Sequence, residues 1–161
     1  MMDVAQLEQF AQKCDRAAAA LKPAMGDMLE EVGEEVLKLV QDSIIAKGNV
    51  DFGKLLGSFS KGGAGNIFEI DKGGLVLTIG TDVEYAKWVN KGHGQQPGRF
   101  VPGVWAGGHF RYQAGARTGM MLKASFVKGS GFFDVAEKGS QRLLNEYARR
   151  AFDQFMRTMF G

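Results

Sequence analysis

The chain has 161 residues, the length of one domain, and its hydrophobic content of 45% is enough to form a core. Its net charge of +2 is too small to indicate nucleic-acid binding by itself. The single cysteine, Cys14, excludes an intrachain disulfide, and no secretory signal or membrane-spanning run is recognisable. We therefore expect a soluble product of a reducing cytoplasm, without a membrane partner.

Residues 3 to about 46 are predicted to be helical, in two pieces, with Pro23 in the first turn of the second piece. From Met25 to Val40, apolar residues recur at three- and four-residue spacing and form one stripe, with acidic residues on the outer face. The pattern ends at Lys47–Gly48, a favourable helix C-terminus.

Two β-rich runs follow, Asn66–Ile70 and Leu75–Ile79. The residues between them, Asp71-Lys72-Gly73-Gly74, are typical of a hairpin turn. The second run is apolar almost throughout, so we expect it to be covered on both faces.

Val83–Lys91 is predicted to form a short helix, capped by Thr81 or Asp82 and ended by Gly92. Within it, Tyr85, Trp88 and Val89 have the spacing of one helix face, so we expect that face to pack on the sheet.

The glycine-rich residues 92–131 are harder to assign. His109–Tyr112 and Met121–Phe126 could pair as a long hairpin, and a mobile arm fits the composition equally well. Helical periodicity returns at Phe132 and continues to Met159. We predict an α+β fold in which long N-terminal and C-terminal helices pack on a small antiparallel sheet. It forms one domain over residues 1–161, with a long glycine-rich hairpin or extended arm at 92–131.

Residues that could suggest catalysis lack the surroundings that catalysis needs. Gly48–Leu55 matches part of a phosphate-binding loop, but Leu55 replaces the magnesium-binding hydroxyl and a helix precedes the segment. His93 and His109 have no carboxylate or cysteine at ligand spacing, and Cys14 lies on an alanine-rich helix. We therefore predict no catalytic residue, no cofactor and no metal site, and we expect that the chain is not an enzyme.

Charge is segregated along the chain. Residues 85–133 contain seven Lys or Arg and no acid, whereas the first 35 residues hold eight acids against three bases. Such complementary surfaces suit head-to-tail association into a ring. The candidate subunit-interface residues are Glu30, Glu31, Glu34, Glu35, Lys87, Lys91, Arg99, Arg111, Arg117, Lys123 and Lys128. Two alternatives remain open: basic loops that merely face solvent, and a small nucleic-acid-binding module that uses the basic, aromatic stretch 85–133.

Three segments, taken in order, resemble signatures of one family. Val50–Phe59 is similar to V-D-T-G-x-L-x-x-S-F, with Phe52 in place of the usual Thr or Ser. Ile79–Gly92 resembles a strand ending in G-T followed by Y-A-x-x-V-x-x-G, and Gly131–Ala136 resembles an aromatic-rich turn before a terminal helix. The family is that of the tail-completion (neck) proteins of long-tailed bacteriophages.

This resemblance implies a structural virion subunit that is made in the bacterial host cytoplasm and placed at the neck. It would form a homo-oligomeric ring joining head-closure or connector proteins to tail-terminator or tail-tube proteins. The ring would surround DNA that passes through its channel without sequence recognition.

Overall fold

The structure is a computed structural model that describes residues 3–48, 53–73 and 75–161. The chain divides into two compact units. Unit 1 comprises Met1–Ala86 and Phe132–Gly161, and unit 2 comprises Lys87–Gly131. The segment expected to form an arm therefore corresponds closely to unit 2.

Long helices stand near both ends of the chain, with short strands between them. The helices are α1 (Val4–Ala46), α2 (Lys54–Gly57), α3 (Ala86–Lys91) and α4 (Phe132–Phe160). The strands are β1 (Asn66–Asp71), β2 (Val76–Thr81), β3 (Gly92–Gly94), β4 (Phe100–Ala106), β5 (His109–Tyr112), β6 (Gly119–Met121) and β7 (Phe126–Lys128). All the strand pairs of the described residues are antiparallel. This confirms the predicted α+β class.

Helix α1 begins in a capping box. The Gln6 backbone N–H donates to the Asp3 carboxylate over 2.8 Å, and the Asp3 N–H donates to the Gln6 side chain over 3.1 Å. The helix then runs without interruption through Pro23, so the prediction of two pieces is wrong. A proline inside a helix costs about 3 kcal/mol. The helix remains continuous where it packs along α4, with Ala17 buried before the proline and Met28 buried after it. Helix α1 ends as predicted, at Lys47–Gly48.

Helix α1 crosses the β1–β2 hairpin at very short distance. A Cβ atom added to Gly33 would stand 2.6 Å from the Phe68 ring and 3.1 Å from Leu77. Seven residues earlier on the same helix face, Gly26 lies against the Lys72 side chain in the hairpin turn. Small residues here let the helix backbone approach the sheet closely.

The hairpin itself is confirmed, with Asn66 opposite Thr81 and Asp71 opposite Val76. Gly74 of the predicted turn lies outside the described residues. The expectation that the second run is covered on both faces is wrong, since Val76 is 54% exposed. Side chains alternate across a strand, and here Leu77 and Ile79 are partly buried, whereas Val76 and Thr78 are exposed.

The core of unit 1 forms where α1, α2 and α4 meet. Val40 and Ile44 of α1 are fully buried, and Phe59, just after α2, packs edge-on against Phe132 with ring centroids 6.1 Å apart. Helix α4 therefore starts on an aromatic anchor, as the resemblance of this segment to an aromatic turn implied.

In unit 2, β4 is the middle strand of a three-stranded sheet, with β5 on one side and β6 on the other. Of the two possibilities considered for this segment, the pairing of His109–Tyr112 with Met121–Phe126 does not occur, because β5 and β6 both pair with β4. Gly107 and Gly108 both have positive φ and form a two-residue turn, which pairs β5 with the adjacent β4. Residues 100–106 escaped prediction because Pro102 and Gly103 interrupt the strand pattern.

Helix α3 begins at Ala86, three residues later than predicted. The Val83 N–H donates to the Thr81 hydroxyl over 3.1 Å, and the Ala86 N–H donates to the Val83 carbonyl, so a turn occupies the intervening residues. Trp88 is 47% exposed and carries the Lys87 ammonium 4.9 Å from its ring centroid. About half of the Trp88 surface is therefore exposed, whereas Tyr85 and Val89, the other residues of the predicted packing face, are partly buried.

Candidate interaction surfaces

The acidic face of α1 is met by lysines of the same unit. The Lys61 ammonium lies 2.8 Å from a Glu30 carboxylate oxygen and 2.7 Å from one of Glu34. Lys72, in the hairpin turn, lies 3.0 Å from Asp27 and 3.6 Å from Glu30. Glu35 pairs with Lys38 on the next turn of α1. Three of the four predicted interface acids are therefore engaged within their own chain.

The ion pair between Lys61 and Glu30 shifts the pKa values of both groups. The hydrogen bond and charge of Lys61 lower the pKa of the Glu30 carboxyl, and Lys72 adds to this effect. In return, the hydrogen bonds that the Lys61 ammonium donates to the carboxylates of Glu30 and Glu34 raise the pKa of Lys61. Sequence reasoning missed both lysines, because they lie 27 to 45 residues from their partners and have no helical spacing to them.

Glu31, the fourth predicted acid, is exposed and forms no ion pair within the described part of the chain. It lines a cleft of about 350 Å³ between α1 and α4, together with Tyr147 and Arg150. Of the four predicted interface acids, it is therefore the one whose carboxylate is not engaged by a described lysine or arginine.

The predicted basic residues all lie in unit 2. Each is exposed, and within the described ranges none forms an ion pair. Unit 2 holds seven Lys and Arg and no carboxylate side chain, a net charge of +7 with histidines neutral. Unit 1 holds thirteen Lys and Arg against eighteen Asp and Glu, a net charge of −5. The segregation seen along the sequence thus becomes a segregation between compact units.

Several of these cations lie close together by position. Lys87 and Lys91 are one helical turn apart, and Gly92, next to Lys91, is paired with Lys128. Like charges at such spacing repel one another. A binding partner with negative charge would relieve this repulsion.

Unit 2 also exposes apolar side chains. Every large buried hydrophobic residue that the structure describes belongs to unit 1. In unit 2 the large hydrophobic residues on the surface are Trp88, Phe100, Val104, Trp105, Tyr112, Met121, Phe126 and Val127. Trp105 is 63% exposed and contacts Phe110 edge-on, with ring centroids 5.5 Å apart. A concentration of exposed apolar and aromatic residues is typical of a protein-binding surface.

Unit 1 contains an open apolar groove of about 570 Å³ between α1, β2 and α4. Its lining includes Val32 and Val36 of α1, Leu77 of β2 and Leu144 of α4. Its size and lining are those of a site that accepts an apolar ligand or side chains.

Residues that could suggest enzyme chemistry are dispersed. Cys14 is half-buried on α1, while His93 on β3 and His109 on β5 are exposed and face Val127 and Ala106 across their strands. Lys54 starts the four-residue α2, and residues 49–52 of the phosphate-loop-like segment lie outside the described residues. Among the described residues, no cluster of His, Cys, Asp and Glu could hold a metal ion. Within the same part of the chain, no helix has the length and apolarity to cross a membrane.

The three signature segments meet in unit 1. Ser58 and Phe59 of the first segment contact Thr81 of the second and Phe132 of the third. Ser58, Phe59 and Phe132 are buried, so these residues hold the fold together and do not form a binding surface. Val50–Phe52 of the first segment lie outside the described residues.

Residues 8–92 match a family described as "Bacteriophage HK97-gp10, putative tail-component". Two proteins of Bacillus subtilis (strain 168) are similar over most of their length. The protein YqbI is 40% identical over 163 residues, covering 96% of this chain and 98% of YqbI. The phage-like element PBSX protein XkdI is 38% identical over 138 residues, covering 84% of this chain and 86% of XkdI. No solved structure matches this chain.

Proposed function

The chain belongs to the bacteriophage HK97-gp10-like family of tail components, and from this premise we propose that it is a ring-forming structural subunit of the head–tail junction. In this role it joins head-closure or connector proteins to tail-terminator or tail-tube proteins and surrounds the DNA channel. It acts through the surfaces that it presents to its neighbours, without catalysis, as part of the neck of the virion.

The observation that carries this proposal is the division of charge between two compact units. Unit 2 has a net charge of +7 and unit 1 a net charge of −5. Copies of one chain with opposite surfaces associate head to tail, and such contacts close into a ring when the rotation between copies permits it. The PBSX relative, named as a protein of a phage-like element, supports a place in a phage particle.

The ion pairs of α1 determine which acidic residues can contact a neighbouring subunit. Glu30, Glu34 and Glu35 are neutralised by Lys61, Lys72 and Lys38. We propose that Glu31 contributes directly, whereas the paired acids contribute only through the overall negative charge of unit 1. The seven basic residues of unit 2 keep their proposed role in the subunit interface.

The test is to disrupt the gene in a phage or prophage that encodes the chain, and to image the induced particles by electron microscopy. We expect DNA-filled heads and separate tails, with joined particles restored by the wild-type chain supplied from a plasmid. Antibody labelling of a tagged chain should then mark the junction. Normal particles that lack the chain, or a label along the tail shaft or on the capsid, would overturn the proposal.

A further inference from the structure

We propose that the β4–β5 hairpin of one copy docks into the groove between α1, β2 and α4 of a second copy. This inference rests on the proposed function, because it names the contact that joins neighbouring subunits. It assigns the hairpin tip as the inserted element and Trp105 as its anchor.

The hairpin has the form of an inserting element. Gly107 and Gly108 close it in a tight two-residue turn, so its tip is narrow and its backbone is fixed by pairing. Trp105 and Phe110 are directly opposite each other beside this turn. Since Trp105 is 63% exposed, its ring has most of its surface left to bury on a partner. Exposed tryptophans of this kind commonly supply much of the binding energy of an interface.

The groove has the matching form. Its lining is mainly aliphatic and aromatic, and it remains open although α1, β2 and α4 border it. A space of about 570 Å³ can accept more than one side chain of a hairpin tip. Leu75 and Val76 at one edge of the groove are exposed hydrophobic residues, so docking there would also remove their apolar surface from water.

Charge favours a second copy as the occupant. Glu137 of α4 lines the groove, is exposed and forms no ion pair within the described residues. Arg111 follows Phe110 on β5 and is exposed without a carboxylate partner in the same part of the chain. Because side chains alternate along a strand, Arg111 lies on the opposite face of the hairpin from the Trp105–Phe110 pair. The charge match is therefore between units: the hairpin belongs to unit 2, with a net charge of +7, and the groove, with Glu137 in its lining, belongs to unit 1, with a net charge of −5. A DNA duplex would satisfy the cations but offers no apolar pocket for Trp105 and its neighbours.

Two single-cysteine variants of the full chain test this contact. Cys14→Ser removes the native thiol from both, after which one carries Ala106→Cys at the hairpin tip and the other Gln141→Cys at the groove. Because each copy has one cysteine and a different tag, a short bis-maleimide can link these two positions only between copies. We expect abundant cross-linked heterodimer in the mixture of purified proteins.

The control replaces Gln141→Cys by Asp153→Cys, an exposed position on the same helix outside the groove lining. We expect it to give at least about tenfold less heterodimer. Equal yields from the two positions, or no heterodimer with Gln141→Cys, would overturn the docking. Either result leaves the imaging test of the proposed function unaffected, so the two failures are distinguishable.

A second measurement uses sedimentation to compare the self-association of variants in which an aromatic residue is replaced by alanine. Trp105→Ala should weaken self-association of the full chain by about tenfold or more, as for a tryptophan anchor. Phe152→Ala, which removes an exposed aromatic ring of α4 outside the groove lining, should leave it within about twofold. An equal effect of both variants would overturn the role of Trp105. Adding duplex DNA should not reduce the yield of cross-linked heterodimer. If DNA abolishes the cross-link, the hairpin binds nucleic acid and not the groove.

Discussion

The hydroxyl of Thr81, at the end of β2, donates a hydrogen bond of 2.8 Å to the hydroxyl of Ser58, which is fully buried. Ser58 in turn donates to the Leu55 carbonyl of α2 over 2.8 Å. The Asn66 side chain donates to the Ser58 carbonyl over 2.9 Å. This network ties the segment after α2 to both strands of the hairpin, at the point where Asn66 and Thr81 are paired. It explains why serine and threonine occur in two separate signature segments.

Ser58→Ala should lower the free energy of unfolding by about 1–3 kcal/mol, because the Thr81 hydroxyl loses its buried acceptor. Thr81→Val should also destabilise the chain, and the two substitutions together should lose less than the sum of the single effects. Denaturant unfolding of the four proteins measures the coupling. Ser60→Ala, which removes an exposed hydrogen bond to Gln41, serves as the matched control. Strict additivity of the two substitutions would show that the hydroxyls do not interact.

Gly33→Ala tests the close crossing of α1 over the hairpin. In an open helix this change would stabilise the chain by about 0.5–1 kcal/mol, since alanine favours helix. Here the new methyl group would lie 2.6 Å from the Phe68 ring, so we expect a net destabilisation of about 1–3 kcal/mol. Thermal unfolding measures the effect. Gly57→Ala is the control, because no atom outside its own neighbourhood lies within 4 Å of the added Cβ. A Gly33→Ala variant as stable as the parent would show that the ring moves aside freely.

The sequence predicted the elements whose signals are local. Helix α1 ends at Lys47–Gly48, the β1–β2 hairpin has the expected strands, and α4 begins at Phe132, because periodicity and glycine signals identify such features. The break predicted at Pro23 is wrong because helix propensity is a local property of the sequence, whereas the packing of α1 along α4 is a tertiary contact.

The interaction surfaces were less predictable. The basic surface could be predicted from the sequence, because the basic residues are close together along the chain and all lie in unit 2. The pairing of Glu30 with Lys61 and Lys72 could not, because it depends on tertiary contacts between distant segments. The groove depends in the same way on the relative placement of α1, β2 and α4, for which the sequence has no local signal.

Phe132→Ala should destabilise unit 1 by about 3–5 kcal/mol, because a fully enclosed ring is replaced by a cavity. Phe132 is only 1% exposed and packs against Phe59 and Phe133. Phe152→Ala is the matched control on the same helix, where the ring is 52% exposed, and should change stability by about 0.5 kcal/mol or less. Chemical denaturation followed by far-ultraviolet circular dichroism compares the two. Similar losses for both variants would contradict the anchoring role of Phe132.

Lys61→Met should raise the pKa of the Glu30 carboxyl toward its ordinary value, because the hydrogen bond and charge that lower this pKa come chiefly from Lys61. NMR of the Glu30 carboxyl carbon as pH is lowered measures this change in pKa directly. Lys38→Met is the control: Lys38 pairs with Glu35, so its loss should leave the Glu30 titration in place. An unchanged Glu30 titration in Lys61→Met would show that the ion pair does not persist in solution.

The same ion pair gives the stability of unit 1 a defined pH dependence. The pKa of Glu30 is lowered by folding, so its contribution is complete above the ordinary glutamate pKa and is lost as pH falls through the lower folded-state value. The pKa of Lys61 is raised, so its contribution is complete below the ordinary lysine pKa and is lost as pH rises through the higher folded-state value. Lys61→Met should therefore make the free energy of unfolding less pH-dependent at both extremes.

Because the side chains of Lys61 and Glu30 are exposed, added salt should reduce the difference in free energy of unfolding between variant and parent at neutral pH. A difference that persists in high salt would indicate loss of the cation–π contact of the Lys61 ammonium, which lies 5.1 Å from the Phe68 ring centroid.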